Sequence, residues 1–375
     1  MKIILSGGGT GGHIYPAVTI ADYLKKINPE AEITFVGTRE GLEKDIVPRY
    51  GYPLEFIEVA GFKRKLSWDT VASCGKLLVG LNEARTLLNK IKPDLVIGTG
   101  GYVCGPILLW AALQGIPTCI QEQNAMPGVT NKILAHFVKK VFLGYAEGAK
   151  FFGGKAEKIV TGNPIRKEIL AADRVTGLAK WKLSPQKTTL LVAGGSRGAQ
   201  SINNAMALVV TALAGRSDVQ VLVATGEVGY RDFTKKVEKK VLLSDNIKVF
   251  PYLHEMPLAL AVADLAVFRA GAVGLAELMA KGIPSILIPY PYATANHQEY
   301  NARAIERAGA ATVILDQQLT GSVLLARIEE LLQKKDKLQT MQAAAQALGK
   351  PEAGANIARQ ALALIKGDKG EVLRC

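Results

Sequence analysis

Lys2-Ile-Ile-Leu-Ser-Gly-Gly-Gly-Thr-Gly-Gly-His13 is a short apolar run that breaks into glycines and then opens a helical pattern. A related stretch, Thr189-Leu-Leu-Val-Ala-Gly-Gly-Ser-Arg-Gly-Ala-Gln200, recurs about half a chain later. Glycine tolerates backbone angles that other residues resist and lets a ligand approach the main chain. A helix opening just after it directs unpaired N–H groups and a positive dipole end at the same spot. Two copies of this grammar predict two nucleotide-fold domains, each with an anion-accepting loop.

The elements around the loops agree. Strands are expected at Lys2–Ser6, Ile33–Gly37, Leu54–Val59, Leu95–Gly98, Thr118–Gln121, Lys140–Leu143 and Lys158–Thr161. In the second half they are expected at Thr189–Ala193, Val219–Ala224, Ile247–Phe250, Leu265–Phe268, Ser285–Ile288 and Ala311–Ile314. Helical segments such as Tyr15–Ile27, Thr70–Lys90 and Val103–Gln114 lie between them. Short apolar strands alternating with helices predict an α/β fold of doubly wound parallel sheets. Asn163-Pro164 and Lys350-Pro351 punctuate the pattern, giving domains at 1–162 and 163–350 and a last helix, Gly354–Lys366, that crosses back to the first domain.

A chain of 375 residues, 49% hydrophobic and 21% charged, has ample core for two domains. Its four cysteines, Cys74, Cys104, Cys119 and Cys375, show neither metal nor disulfide spacing, as expected of free thiols in a reducing compartment. No signal-peptide pattern opens the chain, and no apolar run approaches the ~20 residues that span a bilayer. A net charge of +13 asks for an anionic partner. Lys63, Arg64, Lys65, Lys76, Arg85, Lys90 and Lys92 stand against only Asp69 and Glu83, among Phe62, Leu66, Trp68, Leu77, Leu78, Val79 and Leu81. The basic excess is not interleaved with a nucleic-acid-reading motif, so nucleic acid is not the expected partner.

Gly7-x-Gly9-x-x-Gly12 matches the dinucleotide fingerprint, which requires an acid at the end of the second strand. Here that strand runs into Gly37-Thr38-Arg39, with no acid until Glu40; Arg39 leaves an NADP-dependent oxidoreductase as a minority reading. His13 is either a packed or capping residue or a base at an anion site on a sheet's carboxyl edge. Gln121-Glu122-Gln123-Asn124, with Asn131 beyond, reads either as a turn and helix cap or as sugar recognition and base chemistry. Thr99-Gly100-Gly101-Tyr102 is a third loop on that edge. In the second half, Arg269-Ala270-Gly271-Ala272-Val273-Gly274-Leu275-Ala276-Glu277 brings small residues and a diol-accepting carboxylate to a helix start, and Gln298 and Asn301 can reach a sugar.

With Gly162-Asn163-Pro164-Ile165-Arg166, these motifs run in one order along nearly the whole chain, and in that order the chain resembles the MurG family of bacterial peptidoglycan glycosyltransferases. The resemblance implies the GT-B fold: an N-terminal domain that binds acceptor and membrane, and a C-terminal domain that binds UDP-GlcNAc. It implies inverting transfer of N-acetylglucosamine to the C4 hydroxyl of the muramoyl sugar on undecaprenyl pyrophosphate (lipid I to lipid II). Carried over, the substrate contacts are Thr10, Gly11, Gly12, Tyr102, Asn124, Asn131, Arg166, Ser196, Leu253, Ala272, Val273, Gly274, Leu275, Ala276, Glu277 and Gln298. Ser196 serves the pyrophosphate, Glu277 the ribose and Gln298 the sugar hydroxyls.

Single-step inversion needs a base and a way to stabilise departing UDP. His13 is favoured over Glu122 as the base. No Asp-x-Asp triplet occurs, so no metal or other cofactor is expected; helix N-termini with Arg166 or Arg269 are expected to offset the leaving charge. The basic and apolar stretch at 62–92 suits an anionic membrane surface, which places the protein peripherally on the cytoplasmic face of the cell membrane. A UDP-GlcNAc 2-epimerase and a non-catalytic sugar-nucleotide- or lipid-binding protein remain the rival readings.

Overall fold

A computed structural model describes residues 1–59, 68–195 and 198–366, with the backbone alone of 68–78 and 366. The chain divides into two compact units, Met1–Pro164 with Glu352–Cys375, and Ile165–Pro351. Each is built on one parallel sheet.

The first sheet contains β1 (Lys2–Gly7), β2 (Glu32–Gly37), β3 (Leu54–Phe56), β4 (Leu95–Gly100), β5 (Thr118–Glu122), β6 (Lys140–Leu143) and β7 (Glu157–Val160), in the order β3-β2-β1-β4-β5-β6-β7. The second contains β8 (Thr188–Ala193), β9 (Val219–Ala224), β10 (Ile247–Phe250), β11 (Leu265–Phe268), β12 (Ser285–Leu287) and β13 (Ala311–Val313), in the order β10-β9-β8-β11-β12-β13. Central strands are covered on both faces, so they read as unbroken apolar runs: every residue of β4, β5 and β9 is buried. At the edge, β7 exposes Glu157, Lys158 and Val160, charges that discourage pairing with another chain.

In each sheet the strand order reverses beside the strand that precedes a glycine loop, between β1 and β4 and between β8 and β11. Such switch points leave a crevice at the carboxyl ends of the strands. Both loops of interest stand at one.

The expected strand Leu54–Val59 stops pairing at Phe56. Ile57 N still reaches Gly37 O at 3.0 Å, but Glu58 N donates to the Glu83 carboxylate at 2.6 Å. With Ile57 N turned to β2, Glu58 N faces the open edge of β3, and Glu83 on α3 (Trp68–Ile91) covers that edge. Conversely, β4 continues to Gly100 through a register shift opposite Ser6 and Gly7.

Helix α1 (Gly11–Ile27) begins at the glycines themselves. Its Ile14, Ala17, Val18, Ile20, Ala21 and Leu24 share one buried cluster with Ile3 and Leu5 of β1 and with Ile357, Ala358 and Ala361. The last three belong to the helix Ala353–Lys366, which follows the second unit in sequence yet completes the core of the first. Cys104 and Cys119 are buried free thiols; burial pushes Cys104 up to about 11 and Cys119 higher still. Cys375 and the side chain of Cys74 lie outside the described residues. Among the described residues no helix is long and apolar enough to cross a membrane.

Candidate active site

His13 sits in the first turn of α1, beside the β4 loop. Its Nδ1 lies 3.0 Å from Thr99 O and 3.0 Å from Gln123 Oε1. Both partners are acceptors only if Gln123 has its amide this way round, and the surroundings fix that: Gln123 Nε2 donates to Thr99 O at 2.6 Å and to Gln121 O at 3.3 Å. Turning the amide over would set its oxygen against those carbonyls. The proton of a neutral His13 therefore belongs on Nδ1, and the lone pair on Nε2. Gln123 is held in turn by Asn163, whose Nδ2 donates to Gln123 O and whose Oδ1 accepts from Gln121 Nε2, both at 2.9 Å. Thr99 Oγ1 donates to His13 O at 2.8 Å, and Gly100, at φ +106°, gives the ring room; a Cβ there would lie 2.6 Å from Nδ1.

The two catalytic candidates are placed differently. His13 is partly exposed, whereas Glu122 is 2% exposed and its carboxylate is surrounded by donors. It accepts from Asn124 N at 2.9 Å, Asn124 Nδ2 at 3.1 Å, Gly128 N at 3.1 Å and Asn131 Nδ2 at 2.8 Å. Glu122 thus ties the loop after β5 to the helix Val129–Leu134. Asn131 is equally buried and spends its amide on that tie, while Tyr102 is 58% exposed.

In the first glycine loop, Gly8 N donates to Gly100 O at 3.3 Å and Gly9 N to Glu43 Oε2 at 2.9 Å. The amides of Gly11 and Gly12 lie in the first turn of α1, ahead of the helix's own hydrogen-bond ladder, and Thr10 and Gly12 are exposed. Sequence reasoning missed Glu43. Charged Arg39-Glu40-x-x-Glu43-Lys44 reads as solvated surface, yet Glu43 is fully buried while its neighbour Leu42 is 44% exposed. The available signal was a cluster of glycines, Gly8, Gly37 and Gly41, with no turn to explain all three.

In the second unit Ser196 lies outside the described residues. Around it, Gly195 and Gly198 have φ of +93° and +75°, and a Cβ on Gly198 would collide with Thr225 O. Arg166 pairs with Glu277, Nε and Nη2 each 2.8 Å from Oε1; Glu277 is 5% exposed on the helix Ala272–Ala280. Ala272, Val273, Gly274, Leu275 and Ala276 form the opening turns of that helix. Asn301 Nδ2 holds Ala270 O at 3.2 Å just before it. Gln298 Oε1 accepts from Tyr290 N at 3.0 Å, and Leu253 is buried. Arg269 does not behave as a free cation: Asp316 pairs with it, its Nη1 reaches Ile288 O and Pro289 O at 3.2 and 3.1 Å, and its Nη2 reaches Ser201 Oγ at 2.8 Å. Arg269 and Arg166 are thus both held by partners within the second unit. Among the described residues no His, Cys, Asp and Glu side chains gather into a metal-binding group.

Residues 3–143 match the glycosyltransferase family 28 N-terminal domain, and residues 189–357 match the glycosyltransferase family 28 C-terminal domain. The UDP-N-acetylglucosamine–N-acetylmuramyl-(pentapeptide) pyrophosphoryl-undecaprenol N-acetylglucosamine transferase of Desulfitobacterium hafniense (strain Y51) is 50% identical, over 94% of this chain and 96% of that one. The chain belongs to the MurG family. A relative of the same name from Thermoanaerobacter sp. (strain X514) is 48% identical over 95% of this chain and 98% of its own. The crystal structure of Acinetobacter baumannii MurG superposes with a TM-score of 0.79 at 24% identity, covering 96% of this chain and 99% of that one. A UDP-GlcNAc 2-epimerase from Neisseria meningitidis superposes at 0.68 with 12% identity, covering 97% of this chain and 100% of that one. These likenesses fix the fold as GT-B. Membership of a glycosyltransferase family along both halves leaves the oxidoreductase reading of Gly7–Gly12 without support.

Proposed function

We propose that this chain is an inverting N-acetylglucosaminyltransferase that moves GlcNAc from UDP-GlcNAc to the C4 hydroxyl of the muramoyl sugar on undecaprenyl pyrophosphate. The observation that carries the reading is the 50% identity to a transferase of that name across nearly the full length of both chains. The acceptor hydroxyl attacks the anomeric carbon, its proton passes to His13 Nε2, and the bond to the UDP oxygen breaks on the opposite face. The Nδ1–H of His13, held by Thr99 O and Gln123, supports the assignment because it leaves the lone pair of the neutral ring on Nε2. Glu122 then positions the loop that carries Asn124 and the helix that carries Asn131. Arg166, Leu253, Ala272–Glu277, Gln298 and Ser196 take the donor, and Thr10, Gly11, Gly12, Tyr102 and Asn124 complete the substrate contacts. The helix start at Ala272 and Arg166 offset charge on the departing diphosphate, with no metal ion required.

The acceptor's lipid calls for a membrane surface on the cytoplasmic side. Lys63, Arg64, Lys65, Phe62 and Leu66 lie outside the described residues, as do the side chains of Trp68, Lys76, Leu77 and Leu78. Val79 is 47% exposed, and Val129, Ile133 and Phe137 present further apolar surface at 67, 57 and 45%. Part of the positive stretch serves packing instead: Arg85 lies over the Trp110 ring at 5.5 Å, and Lys90 pairs with Glu55 at 3.2 Å.

Labelled UDP-GlcNAc with a lipid I analogue tests the reading: a disaccharide-lipid product, undiminished by EDTA, is expected. Release of UDP-ManNAc from UDP-GlcNAc alone would instead identify an epimerase. Binding to anionic but not neutral vesicles tests the membrane assignment, each basic residue adding about 1 kcal/mol.

A further inference from the structure

We propose that Glu43 is a specificity-determining residue, an anion built into the first glycine loop that reserves the Gly8–Gly9 end of that loop for uncharged groups. Glu43 lies on α2 (Glu43–Arg49) and is fully buried. Its carboxylate accepts from Gly9 N at 2.9 Å, Thr38 N at 2.8 Å and Thr38 Oγ1 at 2.9 Å. All three partners donate, as an acceptor-only carboxylate demands. Three glycines make its room: a Cβ on Gly8 would lie 2.5 Å from Oε1, and one on Gly37 or Gly41 would collide with the same side chain. A chain that buries glutamate while exposing the adjacent Leu42 breaks the ordinary inside–outside pattern, as functional sites do.

The consequence is electrostatic as well as geometric. A phosphate seated at a glycine loop uses free amides and a site without nearby negative charge. Here Gly8 N and Gly9 N already have acceptors, and a full negative charge stands at hydrogen-bonding distance from Gly9 N. A second anion there meets like-charge repulsion from a carboxylate that is itself buried and held at contact distance from the amide. The ligand edge of the loop therefore starts at Gly11 and Gly12, and what lies over Gly8–Gly9 is an uncharged group. This goes beyond the transferase reading and does not depend on it.

The test is a titration of the full chain with inorganic pyrophosphate, followed by the assigned amide resonances of the loop, in wild type and in Glu43→Gln. In wild type the Gly9 amide is expected to stay still, or to respond at least about tenfold more weakly than in Glu43→Gln. Equal responses in the two proteins overturn the proposal. So does silence in both, because charge would then not be what excludes the anion. The wild-type arm stands without the variant: a Gly9 amide that titrates alongside those of Gly11 and Gly12 overturns the proposal whether or not Glu43→Gln folds.

Discussion

The two glycine loops share a grammar and differ in what their glycines do. In the first, Gly8 joins Gly37 and Gly41 in making space for a carboxylate, and two loop amides are taken within the fold. In the second, among the described residues, Gly194 and Gly198 make space for backbone, at Ala199 N and Thr225 O. Glycines of the first loop abut a carboxylate, and glycines of the second abut main chain. The motif therefore marks a fold position, and the neighbours decide the charge of what it accepts.

The largest effect separating the loops is expected from Gly198→Ala. Its positive φ and the collision with Thr225 O should abolish the second loop's conformation, costing more than about 4 kcal/mol in denaturant unfolding. A normal unfolding midpoint would show that the turn is not backbone-limited. Arg269→Ala, which strands Asp316 and removes donors from Ile288 O and Pro289 O, should cost about 3 kcal/mol of stability. If donor affinity collapses instead while stability holds, Arg269 is a phosphate ligand after all.

On the first loop, His13→Ala should lower kcat by about 10²-fold or more and leave UDP affinity nearly unchanged. Survival of turnover would remove His13 from the role of base. Gly12→Ala and Gly274→Ala make a smaller, matched pair. A Cβ on Gly12 meets nothing closer than Thr10 Oγ1 at 3.6 Å, and one on Gly274 meets nothing within 4 Å. Both lie in helices, where alanine is favoured by up to about 1 kcal/mol. Stability should hold or rise while substrate KM rises; unchanged KM in both would mean that neither glycine serves a ligand. The smallest effect concerns the thiol beneath the first loop. Because burial raises Cys104 to about 11, its alkylation in the native protein at neutral pH should be far slower than in denatured protein.

Strand positions were legible because a strand buried on both faces is written as an unbroken apolar run, as in Leu265–Phe268 or Val219–Ala224. The end of β3 was not, because the alternating run continues through Val59 with no local sign that pairing stops at Phe56. His13 was legible as a candidate by its place after the loop; the side chains that set its proton, Gln123 and Asn163, look like ordinary loop polarity. The pairing of Arg269 was not legible for a related reason. Its partner Asp316 lies 47 residues further on, and no local pattern announces a pairing at that separation. Glu43 was hidden by composition, since charged neighbours disguise a buried acid.

The helix Ala353–Lys366 has a consequence for biogenesis. The apolar side of the first sheet, with Ile3, Leu5 and Ile14, leaves the ribosome early but receives Ile357, Ala358 and Ala361 only after all of Ile165–Pro351 has been made. The earlier-made unit is thus the later one to be finished. Throughout elongation it carries a bare oily seam that invites chaperones or aggregation, and a message broken off near codon 350 yields a nascent protein whose second unit is whole and whose first never closes.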